Sequence, residues 1–167
     1  MSEHGRLDGA PTHVAFGNAG LGVERSNAVP TADEARAVFD AFHRIMQRAA
    51  TDGEIGERLA FAQIVTHVHL RDAPEDLTMT LLFDRAPVEV ADRAVGHPDV
   101  ELWIDTNDVV RFWTGDMHLA MGIMHGEVEF KGPVRKLLPI VRRLFTEFQA
   151  MAVNEQLAVP GPQVPSA

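Results

Sequence analysis

A chain of 167 residues, 46% hydrophobic and 23% charged, can bury a real core and is too apolar to be disordered throughout. Its 15 Lys and Arg stand against 24 Asp and Glu, and the net charge of -9 opposes nucleic-acid binding, which needs basic surface to displace counterions. The absence of cysteine excludes disulfides, thiolate metal sites and cysteine nucleophiles, and no apolar run reaches the roughly 18 residues of a membrane span.

Residues 1–30 are rich in Gly, Ala, Asn and Pro without a sustained period, and read as a flexible N-terminal arm. They show no cation followed by an apolar stretch, so an unexported, cytoplasmic protein is expected. Residues 158–167 are Pro-rich and read as a disordered tail. A single domain over residues 31–157 lies between them.

Thr31 opens a helix, with Glu34 three residues later completing a capping box. Ala35, Val38, Phe39, Phe42, Ile45 and Met46 then recur at helical spacing until Gly53 and Gly56 break it. Strands follow. Ile64, Val68 and Leu70 alternate with Gln63, His67, His69 and Arg71; Leu77, Met79, Leu81 and Phe83 alternate with Thr78, Thr80 and Asp84. Val88 and Val90 flank Glu89, and Val100, Leu102 and Ile104 alternate with Glu101, Trp103 and Asp105. The last run is residues 127–131. Such alternation predicts mostly antiparallel pairing with one wet sheet face, carrying Gln63, His67, Thr78, Thr80, Glu89, Glu101, Glu127 and Glu129. The dry face needs a helical cover. Thr106 or Asn107 can cap one short helix through Trp113, ended by Gly115, and Asp116 a second through Met124. After Gly132, Val134, Leu137, Leu138, Val141, Leu144, Phe145, Phe148 and Met151 form an apolar stripe, with a kink or restart at Pro139. The fold class expected is α+β, a five-stranded sheet covered on one face by helices.

Catalytic signals are weak. All three serines, Ser2, Ser26 and Ser166, fall in the arms, which leaves no serine nucleophile in the domain. No glycine-rich phosphate loop follows a strand. His67 and His69 could share a metal, but no third ligand is evident, and they read as surface histidines. His97, His118 and His125 would need a tertiary meeting to join a site. Asp105 with Asp108, or Glu127 with Glu129, could pair as carboxylates; Asp108 fits better in a helix first turn and the glutamates in water. The clearest positive feature is the run Met117, Met121 and Met124, whose flexible thioethers suit either an adaptable pocket or ordinary gap-filling. Residues 131–143 carry five cations and no acid, which fits either an anionic headgroup or a solvated helix face.

A capped helix, a meander, a strand leading into Asp105 and Asp108, then an M-x-G-x-x-x-x-x-G strand and a last helix: this order resembles the sterol carrier protein-2 family of lipid-binding domains. The residues carrying the resemblance are Met124, Gly126, Val128, Phe130 and Gly132, supported by Asp105, Asp108, Val109 and Gly115. It covers roughly residues 31–148. It implies an apolar tunnel between sheet and helices that takes fatty acids, fatty acyl-CoAs, sterols or related lipids, no catalysis and no cofactor.

On this reading the chain is a non-catalytic carrier or presenter of an apolar ligand, with transient membrane or enzyme contact. The residues expected to line the cavity are Phe39, Phe42, Met46, Leu102, Val110, Trp113, Met117, Met121, Met124, Leu138, Val141 and Phe145. Arg142 and Arg143 are expected to touch a headgroup or a membrane. The alternatives are an interaction subunit for a lipid-metabolising enzyme and, behind it, a metal-dependent enzyme built on His67 and His69.

Overall fold

The computed structural model describes residues 29–154; the arm up to residue 28 and the tail from residue 155 lie outside the described residues. Helix α1 (Ala32–Thr51) starts as its sequence dictates. The Thr31 hydroxyl accepts from the Glu34 N–H at 3.2 Å, and the Glu34 carboxylate accepts from the Thr31 N–H at 2.8 Å. Ala35, Phe39, Ile45 and Met46 are buried, while Val38 and Phe42 pack on the core half-buried. Gly53 does not end the helical region. Asp52 accepts from the Glu54 and Ile55 N–H groups and caps α2 (Gly53–Ala60), in which Gly56 is buried.

The sheet comprises β1 (Val65–Leu70), β2 (Thr78–Leu82), β3 (Glu89–Ala91), β4 (Val100–Ile104) and β5 (Val128–Lys131), in the order β3-β2-β1-β4-β5. Three pairings are antiparallel, as the alternation predicts; the fourth, between the central strand β1 and β4, is parallel. A parallel pair requires a crossover. Residues 92–99 supply it by running over the sheet's second face, and so the expectation that this face is wet needs correction. Thr80 Oγ donates to the Arg93 carbonyl at 2.7 Å and accepts from the Val95 N–H at 2.9 Å. The ring of His67 meets the Val95 carbonyl at 3.1 Å. Under this strap Thr80 and His67 are buried; Thr78, bonded to Asp76 and His69, is buried too, whereas Glu89 and Glu129 remain exposed.

The other face is covered by helices. From β4 the chain enters α3 (Thr106–Thr114), capped at Asp105, although Asp72 does the hydrogen bonding: it accepts from both the N–H and the hydroxyl of Thr106 at 2.8 Å. Gly115, at φ 87, closes α3 in the left-handed conformation that favours glycine. Helix α4 (Leu119–Met124) is entered from His118, not Asp116. After β5, Gly132 takes φ 94 at a point where a Cβ would strike the Asp99 carbonyl. The expected final helix is three pieces: a single 3-10 turn (Val134–Lys136), α5 (Leu138–Arg143) and α6 (Phe145–Asn154). Pro139 sits in the first turn of α5, where its missing N–H costs nothing, so it restarts the helix instead of kinking it.

Candidate functional site

Between the sheet and the helical layer lies a cavity of about 70 Å3. Its floor is Val68, Leu81, Leu102, Ile104 and Val128 from four strands, with Phe83 just beyond β2. These are the inward positions of the alternating runs, which a period of two puts on one face. Its walls are Phe42 and Met46 of α1, Leu59 of α2, Val109, Phe112 and Trp113 of α3, and Leu119 of α4. Leu137, Val141 and Phe148 close it from the C-terminal segments. All sixteen lining residues are of apolar type, so the space rewards hydrocarbon and penalises any unpaired polar group.

An aromatic cluster forms one wall. Trp113 meets Phe42, Phe112 and Phe148 edge-on, with ring centroids 5.3, 4.9 and 5.4 Å apart. Phe112 in turn meets Phe145 at 5.6 Å. Trp113 is 2% exposed, and its indole Nε1 is buried without a hydrogen-bond partner. A buried donor left unpaired costs about 1–3 kcal/mol, but this N–H does not face the cavity, whose lining exposes only apolar atoms.

Of the residues expected to line the cavity, the structure brings Phe42, Met46, Leu102, Trp113 and Val141 together around it. Phe39, Val110 and Met117 are buried but lie outside the lining, and Leu138 and Phe145 are half-buried behind it. Met121 and Met124 are 45% and 77% exposed. The cause is local. Helix α4 packs through Leu119, Gly122 and Ile123, so the methionines fall on its outer side. Gly122 is buried because a Cβ there would sit 3.0 Å from Met117 Sδ and 3.1 Å from a Val128 methyl carbon. Eleven of the sixteen lining residues were not expected there, Phe112 and Leu119 among them. The apolar spacing of residues 109–113 held a signal for Phe112, whereas Leu119 was masked by its methionine neighbours. On α5, Val141 faces the cavity while Arg142 and Arg143 are exposed.

Carboxylates near the site are paired with cations. Arg71 grips Asp105 through two hydrogen bonds of 2.9 and 3.1 Å and reaches Glu129 at 3.3 Å. Arg111 lies 2.9 Å from Asp108 and 3.4 Å from Glu127. Glu127 is largely buried against that guanidinium instead of pointing to water. Burial pushes the Asp108 carboxyl above its usual range, outweighing the stabilisation by Arg111. The group ties the ends of β1 and β4 to α3 and β5.

On the opposite sheet face, the structure supplies the third group that the sequence did not place beside His67 and His69. Glu101 of β4 joins them, with one ligand atom from each within 4.8 Å of the others, an arrangement that could hold a metal ion. Among the described residues no helix is long and apolar enough to cross a membrane.

The model of the SCP-2 sterol transfer family matches residues 42–142. Among solved structures, the chain is similar to sterol carrier protein domain 2 of Helicoverpa armigera, at 15% identity over 70% of this chain and 89% of that one, with a TM-score of 0.53. It is also similar to sterol carrier protein 2 like 2 of Aedes aegypti, at 15% identity over 66% of this chain and 96% of that one, with a TM-score of 0.50. None of the curated proteins matches it significantly.

Proposed function

The chain belongs to the SCP-2 sterol transfer family, and from that premise we propose that it binds a fatty acid, fatty acyl-CoA, sterol or related lipid beneath its helical layer and carries or presents it unchanged. The observation behind this reading is the cavity itself: a space between sheet and helices lined by sixteen apolar residues. Each buried methylene of a ligand gains about 0.8 kcal/mol, so an acyl chain needs no charged anchor to bind usefully.

Size sets a condition on this. At about 70 Å3 the cavity is roughly half the ~150 Å3 that admits one benzene molecule, so a whole acyl chain requires the walls to part. The C-terminal wall is the segment suited to yield, because it consists of a 3-10 turn and two separate helices in place of one continuous rod. Phe42, Met46, Leu102, Trp113 and Val141 would contact the ligand first. Phe39, Met117 and Leu138 belong to the surrounding core, and Phe145 packs on Phe112, so widening would expose them; Val110 is buried on the same helix as Trp113. Arg142 and Arg143, next to Val141, would meet an anionic headgroup, and Met121 and Met124 would touch ligand or lipid surface during entry.

The test is titration with a fluorescent fatty acid and a fluorescent sterol, comparing the wild type with Val141→Phe. A larger ring at the edge of a part-empty cavity fills it. The variant should keep or raise the melting temperature while lipid uptake falls at least about tenfold, a loss of about 1.4 kcal/mol. The small volume favours one rival, an interaction subunit whose core is packed solid. Uptake by neither wild type nor variant would select that rival.

A further inference from the structure

We infer that His67, His69 and Glu101 bind one divalent transition-metal ion, zinc fitting best, on the sheet face turned away from the apolar cavity. The register builds the site. His67 and His69 stand two apart on β1 and therefore project from one face. The parallel pairing with β4 sets Glu101 opposite His67. One ligand atom from each of the three residues lies within 4.8 Å of the others. Two imidazole nitrogens and a carboxylate oxygen form a donor set that zinc takes, with a fourth position left open.

Hydrogen bonds decide which ring nitrogens are free to ligate. Thr78 Oγ lies 2.9 Å from Asp76 Oδ1, and because a carboxylate only accepts, the hydroxyl proton goes there. Thr78 Oγ must then accept from His69, whose Nδ1 is 2.9 Å away. With Nδ1 protonated, the neutral ring holds its lone pair on Nε2. That nitrogen faces Glu101 Oε2 at 3.0 Å. Two acceptors this close repel each other, so the geometry is favourable only with a proton or a cation between them. His67 Nε2 is 3.1 Å from the Val95 carbonyl, which can only accept; this ring, too, keeps one unprotonated nitrogen, Nδ1, when neutral.

The surroundings hold the ligands still. Trp103 stacks on His69 with ring centroids 5.1 Å apart and planes at 14°. His67 is 6% exposed beneath the crossover strap, so water competes little on its side. The relay from Asp76 through Thr78 to His69 Nδ1 is the kind of outer hydrogen bonding that orients a ligating imidazole, and breaking such a relay typically lowers metal affinity about 10- to 100-fold.

The experiment uses the full chain without a polyhistidine tag, stripped by a chelator and titrated with Co2+ and with Zn2+ by absorption and calorimetry. One Co2+ per chain should bind with visible absorption and be displaced by Zn2+, which ranks above Co2+ for such donors. His69→Gln and Glu101→Gln should each abolish that one-to-one binding, and Thr78→Val should weaken it about 10- to 100-fold. Far-UV circular dichroism and lipid uptake should be unchanged in all three, since the site is on the far side of the sheet from the cavity. No saturable one-to-one complex, or a complex equally tight in His69→Gln and Glu101→Gln, overturns the inference and leaves a proton between His69 and Glu101.

Discussion

At the scale of single residues, Trp113 carries the most specific expectation. Its ring completes the apolar wall, yet its Nε1 has no acceptor. A bound lipid meets the apolar surface of the ring and not this N–H, because the cavity lining exposes only apolar atoms. Trp113→Phe should therefore change affinity by the same factor for a plain hydrocarbon and for a lipid carrying a hydroxyl, carbonyl or carboxylate oxygen. A loss confined to the oxygen-bearing lipids would contradict this placement of the N–H. Asp108 gives a pH test. Burial raises its pKa in the folded chain above the ordinary 3.8. A raised folded-state value means that its stabilising contribution is complete below the unfolded pKa and is lost as pH rises through the folded one. Lowering the pH toward the ordinary carboxylate range should thus strengthen this site's contribution while other carboxylates weaken theirs. Asp108→Asn should remove that component, visible as a steeper fall of melting temperature with acid than in wild type. This scale is also where the sequence is least readable. Met117, Met121 and Met124 look alike on paper, yet the start of α4 at Leu119 buries the first and exposes the other two. A one-residue shift in a helix start rotates every side chain by about 100°, and residue periodicity does not fix such boundaries.

At the scale of elements, glycines separate two mechanisms within the stretch that carries the family resemblance. Gly126 and Gly132 both have positive φ, 73 and 94, but a Cβ at Gly126 meets nothing within 4 Å, whereas one at Gly132 strikes the Asp99 carbonyl. Gly126→Ala should cost only backbone strain, about 1 kcal/mol or a few degrees of melting temperature. Gly132→Ala should cost clearly more, because the β4–β5 junction must also shift; similar losses in the two variants would contradict the close approach. The helix α1 cap, the alternating strands and the restart at Pro139 were all legible, since each depends on residues within four positions. The burial of Thr80 and His67 was not. It depends on the strap of residues 92–99, whose Arg93 and Val95 backbone groups reach Thr80 and His67 across 13 to 28 positions of chain. No local period records that meeting. For the same reason Glu101 was not recognised as a companion of His67 and His69: the parallel register joining them is a tertiary fact.

At the scale of the whole molecule, one sheet separates two chemistries. The helical side holds an apolar cavity, and the strap side holds a histidine–carboxylate cluster. Element order, the five strands and the cover on one face could all be read from the alternation and the helical stripes, because burying one face of a small sheet leaves few alternatives. The strand order could not, since alternation is blind to which strands are neighbours. Nor could the volume of the cavity, which depends on how Phe42, Trp113, Val141 and Phe148 pack together. At about 70 Å3 the space is too small for a whole acyl chain, so a carrier must part its C-terminal wall to take one. The most direct measurement is native mass spectrometry of the purified chain, followed by denaturation and organic extraction of whatever is released. A near-stoichiometric lipid, acyl-CoA or sterol should be released or, from an empty chain, a one-to-one complex should form after incubation with a fatty acid. A chain that is empty as purified and stays empty in the presence of fatty acid, acyl-CoA and sterol would contradict the carrier reading.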